Sequence, residues 1–212
     1  MNAALPDSDR PAAPAAAVPD TAPVPADTEA ARAAADQGTY QIRFDWGVRG
    51  LRALAPAHIT VLVDALPSTG DGPADALAPT EVEGHVVRAG LADRTAVARW
   101  ILERQHENGG RTSVNVVAVG DVDAAGEQRF AVEDQLAAGA LIDALIGLGI
   151  DHVSPDAAVA SASYEGLRRA CGHLLTASAT GRLLTARGRG SEVRAAARVD
   201  TVDTVTVLRS LR

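Results

Sequence analysis

Two long apolar runs constrain the fold of this chain most strongly. Residues 58–64 read HITVLVD and residues 113–119 read SVNVVAV. Both are rich in β-branched side chains and neither alternates strictly between apolar and polar residues, so each predicts a strand buried on both faces, as in the middle of a parallel sheet. Shorter strands are predicted at residues 40–44, 82–89 and 204–208.

Segments with helical spacing of apolar residues lie between these strands. Helices are predicted at residues 46–55, 94–105, 133–148, 155 to about 175, 178–187 and 191–197. The alternation of strands and helices indicates a layered α/β domain with a largely parallel sheet. Ligands bind such sheets at the carboxyl ends of the strands. Asp64 and residues 120–123 are therefore the first places to look for a site.

Residues 1–38 differ in composition from the rest of the chain. They hold six of the 11 Pro and no aromatic residue, so they lack the apolar surface that offsets the entropy of ordering. We expect a disordered, acidic Ala/Pro-rich tail with a short helical tendency at residues 29–35, followed by a single domain at 39–212. A tail of this kind leaves open an interaction protein, whose function would depend on residues 1–38.

Composition excludes several classes of function. All 20 basic residues are Arg, which excludes a Schiff-base lysine and a Walker-type phosphate lysine. A net charge of −7 argues against nucleic acid as a partner. The start of the chain lacks a signal-peptide pattern and no window reaches the ~18 apolar residues of a membrane span, so we expect a cytoplasmic protein without membrane contact. Cys171 is predicted to be a buried, inert thiol in mid-helix.

Acidic residues at two places suit a site for a divalent cation. Asp64 closes the first apolar run, and Glu133 and Asp134 open the longest predicted helix. If these carboxylates converge at the edge of the sheet, they could hold Mg²⁺. The other interpretation is structural: Asp64 would cap the next loop or helix, and acids in a first helical turn are favoured by the helix dipole.

Two arginines beside glycine or the acid pair suit an anionic ligand. Arg129 precedes the acid pair and could face a substrate oxyanion with its planar donor set. Arg182 follows Gly181, and this Arg/Gly-rich patch continues through residues 188–190. Such turns suit phosphate or sulfonate, and equally suit a helix end with a solvated arginine.

The sequence resembles the 2-phosphosulfolactate phosphatase family over most of residues 40–208. The most specific block is residues 129–140, RFAVEDQLAAGA, which is similar to the family pattern R-F-x-x-E-D-x-x-x-A-G-A. Weaker blocks follow the family's order: FDWG at 44–47, VLVDAL at 61–66, GLADRTAVA at 90–98, SPDAA at 154–158 and SATGRLL at 178–184. A segment of the family pattern is missing between residues 70 and 82, which marks a shortened member.

The resemblance implies a three-layer α/β fold and Mg²⁺-dependent hydrolysis of the phosphate ester of a small sulfonated hydroxy acid, on the route to coenzyme M. The metal ligands would be Asp64, Glu133 and Asp134, with Asp64 and Glu133 catalytic. The substrate would be bound by Ser68, Thr69, Arg129 and Arg182. The alternative is a catalytically impaired relative that binds a small anion in the same cleft. The sequence leaves a homo-oligomer open.

Overall fold

The computed structural model describes residues 29–66, 82–122 and 128–210. This part of the chain alternates strands and helices as predicted. In chain order the elements are α1 (Glu29–Ala35), β1 (Ile42–Trp46), α2 (Gly47–Ala53), β2 (Ile59–Val63), β3 (His85–Ala89), α3 (Arg94–Glu107), β4 (Val114–Ala118), β5 (Asp121–Val122), β6 (Gln128–Arg129), α4 (Val132–Gly147), α5 (Pro155–Leu167), α6 (Cys171–Ala177), α7 (Ala179–Ala186), α8 (Gly190–Ala196) and β7 (Thr206–Arg209).

The central sheet has the strand order β1-β4-β2-β3-β7. The first four strands run parallel and β7 pairs antiparallel with β3 at the edge. The two long apolar runs form β2 and β4, which are neighbours in the middle of the sheet and are buried at every position. The predicted three-layer α/β domain with a largely parallel sheet is therefore confirmed.

One face of the sheet carries the main core. Val61 and Val116 on this face join the fully buried side chains of Leu136 and Leu141 from α4, and α4 packs in turn against α3 and α5. A smaller apolar cluster, which includes Leu62, lies on the opposite face. Burying one large aliphatic side chain stabilises a fold by roughly 1.5–3 kcal/mol, so the apolar face of α4 fixes this helix firmly along the strands.

Several boundaries differ from the sequence prediction. The single helix predicted from residue 155 to about 175 is two helices, because the chain turns between α5 and α6 and so returns Leu175 to the core. Cys171 consequently begins α6 rather than lying in mid-helix, but it is buried as expected, and burial raises the pKa of its thiol to about 11. The last strand begins at Thr206 rather than residue 204.

The helical tendency predicted at residues 29–35 is confirmed as α1. The residues after α1 are hydrogen-bonded to the domain: the Gln37 side chain donates to the Phe44 carbonyl, and Ala55 N–H donates to the Asp36 carbonyl. Residues 1–28 lie outside the described residues, so the tail and the boundary at residue 39 stay predictions. Among the described helices, none combines the length and apolarity needed to span a bilayer.

Helices α4 and α5 cross in close contact at Gly139. A β-carbon at this position would lie 2.8 Å from the Ala160 carbonyl carbon and 3.0 Å from Tyr164 Cβ. We expect Gly139→Ala to lower the free energy of unfolding by about 1–3 kcal/mol, since the helices must move apart to admit the methyl group. Chemical denaturation monitored by circular dichroism measures the change.

The matched control is Gly147→Ala at the exposed end of the same helix. A β-carbon there meets no atom within 4 Å, and alanine is the better helix former. This variant should be as stable as the wild type or slightly more so. Equal losses for the two variants would contradict close packing at Gly139.

Candidate functional site

The candidate site lies where the parallel strands end. Asp64 directly follows β2, and Gly120 follows β4 after one intervening residue. Glu133 and Asp134 stand in the first turn of α4, which begins at this same edge of the sheet. The chain therefore brings acids that are far apart in sequence to one edge, at the carboxyl ends of β2 and β4. We call this edge the rim.

Asp134 bridges the ends of the two central strands. Its Oδ1 accepts a hydrogen bond from Ala65 N–H and its Oδ2 accepts one from Gly120 N–H, each at 2.8 Å. The side chain is 2 % exposed. The carboxylate makes no capping hydrogen bond to its own helix and instead binds two segments that lie elsewhere in the chain. Its place in the first turn of α4 still suits the helix dipole.

The electrostatics of Asp134 show which charges surround it. Burial raises the pKa of Asp134 well above its usual range, and the negative charges of Asp64 and Glu133 raise it further. The hydrogen bonds from Ala65 and Gly120 act in the opposite direction. Asp64 and Glu133 are therefore both close enough to repel the Asp134 carboxylate, although the three acids are divided between the end of β2 and the start of α4.

Glu133 is in a different situation from its neighbour. The residue is 3 % exposed, yet within the part of the chain that the structure describes no group donates a hydrogen bond to its carboxylate. A carboxylate in a largely buried residue is stabilised by a nearby cation or by hydrogen-bond donors. Asp64, by contrast, is partly exposed at the rim. Glu133 and Asp64 are thus the two acids with the chemistry to receive a cation.

Arg129 lies on the hairpin that follows β4. The short strands β5 and β6 pair antiparallel, and the Arg129 guanidinium forms an ion pair with Asp121 across them. The hairpin is tied to the rim because the Gln128 side chain donates to the Val119 carbonyl at 3.3 Å. Arg129 therefore lies near the end of β4, and its partner Asp121 belongs to residues 120–123, which the sequence pointed to as a place for a site; the role of Arg129 as a substrate ligand stays a prediction.

The other predicted residues are not brought to the acids by any described contact. Arg182 is exposed on α7, which packs against α6 and α8, and the structure shows no contact between it and Asp64, Glu133 or Asp134. Ser68 and Thr69 fall outside the described residues, as does the predicted shortening after residue 70. Within residues 29–66, 82–122 and 128–210, no three His, Cys, Asp or Glu side chains form a group that could hold a metal ion.

A small cavity beside Asp64 adds Arg88 and Asp93, which the sequence analysis did not propose as site residues. It has a volume of about 140 Å³ and is lined by Asp64, Arg88, Gly90 and Asp93, among others. Burial raises the pKa of Asp93, whose Oδ1 accepts a hydrogen bond from Gly90 N–H at 2.7 Å. Asp93 is the residue before α3, and its carbonyl accepts the first helical hydrogen bond from Val97 N–H, while its side chain makes no capping hydrogen bond to that helix. The available signal was Arg88, a charge inside an otherwise apolar strand.

Comparison with known proteins agrees with this geometry. No curated protein matches the chain. The model of the 2-phosphosulpholactate phosphatase family matches residues 65–210, a range that contains Arg129, Glu133, Asp134 and Arg182 and begins one residue after Asp64. The match covers more than half of the chain and includes the acid pair that lies at the rim. The chain belongs to the 2-phosphosulpholactate phosphatase family.

Proposed function

We propose that this protein is a Mg²⁺-dependent phosphatase that hydrolyses 2-phosphosulfolactate to sulfolactate and phosphate. The observation that supports the proposal is that Asp64, Glu133 and Asp134 lie at the same edge of the sheet, where α/β sheets bind ligands, within a chain of this family: Asp134 accepts a hydrogen bond from Ala65, the residue after Asp64. A place on the route to coenzyme M and a cytoplasmic location belong to the same proposal. They rest on the resemblance to the family.

The donor set at the rim fits Mg²⁺. This ion is usually held by one or two carboxylates together with waters and substrate phosphate, so the two acids Asp64 and Glu133 would hold it. Their like charges would be relieved by a cation. When bound, Mg²⁺ would polarise a phosphate oxygen and help to activate water. Asp134 as a third ligand stays a prediction, and the hydrogen bonds to both of its oxygens favour a positioning role instead.

The chain's own residues supply charge and orientation. Phosphoryl transfer depends mostly on charge neutralisation and in-line placement of water. Arg129 would neutralise a phosphate or sulfonate oxygen with its planar guanidinium, and its ion pair with Asp121 holds that group on the hairpin. Arg182, Ser68 and Thr69 complete the proposed substrate ligands.

The acids are tested by phosphate release from 2-phosphosulfolactate with and without Mg²⁺. We expect the wild type to require Mg²⁺, and Asp64→Asn and Glu133→Gln to lower kcat/KM by about 100-fold or more, since each removes a proposed ligand charge. Glu107→Gln is the control because it also removes one carboxylate, from an exposed pair with Arg104. It should leave the rate unchanged.

Turnover that equals the background of Asp64→Asn would end the enzymatic proposal. Substrate-induced protection of the wild type against thermal unfolding, without release of phosphate, would instead identify the impaired relative that only binds the anion. Activity that is indifferent to Mg²⁺ would remove the metal from the proposal.

The same assay distinguishes the roles of Arg129 and Arg182 in substrate binding. Because Arg129 lies at the rim, we expect Arg129→Ala to raise KM for 2-phosphosulfolactate by about 10-fold or more, the usual effect of losing a charge-assisted hydrogen bond. If Arg182 reaches the substrate, Arg182→Ala raises KM as well. Unchanged kinetics for Arg182→Ala would assign this residue to the solvated surface of α7.

A further inference from the structure

We propose that Asp134 is a positioning residue that locks the rim together, rather than a ligand of the metal. The catalytic part of this inference rests on the proposed function; the structural part does not. The argument begins with the hydrogen-bond ladder between β2 and β4. Val119 N–H donates to the Val63 carbonyl at 2.9 Å, and the next residue after β2, Asp64, donates its N–H to Ala89 on β3 instead.

Beyond the end of that ladder, the Asp134 carboxylate connects the two segments. Just past it, the backbone N–H groups of Ala65 and Gly120 both donate to Asp134, one to each oxygen. A single side chain from α4 therefore links the two segments that follow β2 and β4. Gly120 has a φ of +75°, a conformation that glycine adopts readily, and this turn presents its N–H to the carboxylate.

Each end of this bridge lies beside a candidate site residue. Ala65 follows Asp64, and Gly120 precedes Asp121, the partner of Arg129. Glu133 precedes Asp134 itself. The bridge thus fixes the relative positions of three segments, each of which carries one part of the proposed site. Both carboxylate oxygens of Asp134 accept a hydrogen bond from a backbone N–H group.

The hydrogen bonds of Asp134, rather than its burial, favour the positioning role. Glu133 is almost as buried as Asp134, at 3 % against 2 % exposure, so the two backbone donors to Asp134 are what distinguish the two acids. A carboxylate engaged by two backbone N–H groups is held by charge-assisted hydrogen bonds, which are stronger than neutral ones. Breaking them would free the ends of β2 and β4 without disturbing the apolar core below.

The test is amide hydrogen exchange on the full chain without substrate or Mg²⁺. In the wild type, Ala65 and Gly120 should be protected from exchange like Val119, although both lie outside the strands. Asp134→Asn keeps the shape of the side chain but turns one acceptor into a donor. We expect it to lower protection at one or both amides by about 10-fold or more and to leave Val61 and Val116 protected.

Asp143→Asn is the matched control. Asp143 lies on the same helix, and its carboxylate is paired with Arg94 at 3.4 Å, away from the rim. Exchange at Ala65 and Gly120 should match the wild type in this variant. If Asp134→Asn does not fold, the wild-type measurement decides: rapid exchange at Ala65 and Gly120 overturns the proposal.

Binding of Mg²⁺ alone, followed by calorimetry, distinguishes the two roles of Asp134. A positioning residue predicts that Asp134→Asn retains Mg²⁺ affinity within about 10-fold while kcat for phosphate release falls. A loss of Mg²⁺ binding with unchanged exchange at the rim would make Asp134 a ligand and overturn the proposal. A wild type that releases no phosphate would refute the proposed function, and the exchange data would still decide whether Asp134 locks the rim.

Discussion

The packing of α4 along the central strands is the interaction on which the rest of the structure depends. Its apolar residues, Leu136 and Leu141 among them, are fully buried in the main core, and Gly139 allows α5 to cross it closely. Because the helix is held along its length, its first turn cannot move away from the strand ends. Glu133 and Asp134, which lie in this first turn, are therefore buried.

This arrangement places the carboxylates of Glu133 and Asp134 in a buried position, where an ionised group costs free energy. Burial and like charges raise the pKa of Asp134, which means that the folded chain resists ionising this group. Two backbone N–H groups offset part of that cost for Asp134, whereas no described group does so for Glu133. A buried titratable group whose pKa is raised by nearby charges is typical of functional sites. This agrees with the proposal that the rim is the site.

The geometry of the α-helix explains why the adjacent acids Glu133 and Asp134 have different hydrogen-bond partners. Successive residues of an α-helix point about 100° apart, so Glu133 and Asp134 cannot face the same partners. Asp134 points between the ends of β2 and β4 and binds their backbone. Glu133 receives no such donors. A motif of two consecutive acids can in this way combine one residue that holds the scaffold with one that meets a ligand.

Local signals in the chain determined the class of the fold and the edge that carries the site. The apolar runs of β2 and β4 and the spacing along α4 depend on side chains close in sequence, so the strands, the helices and the parallel sheet could be predicted. The strand order was not available in this way, because the adjacency of β2 and β4 depends on contacts between distant segments. The turn that begins α6 at Cys171 was missed for the same reason. Only the tertiary structure decided that Asp134 bridges Ala65 and Gly120. It likewise decided that Arg182 shows no described contact with the acids. Hydrogen bonds and contacts between remote segments leave no periodic signal in the sequence, so neither result could be predicted from it.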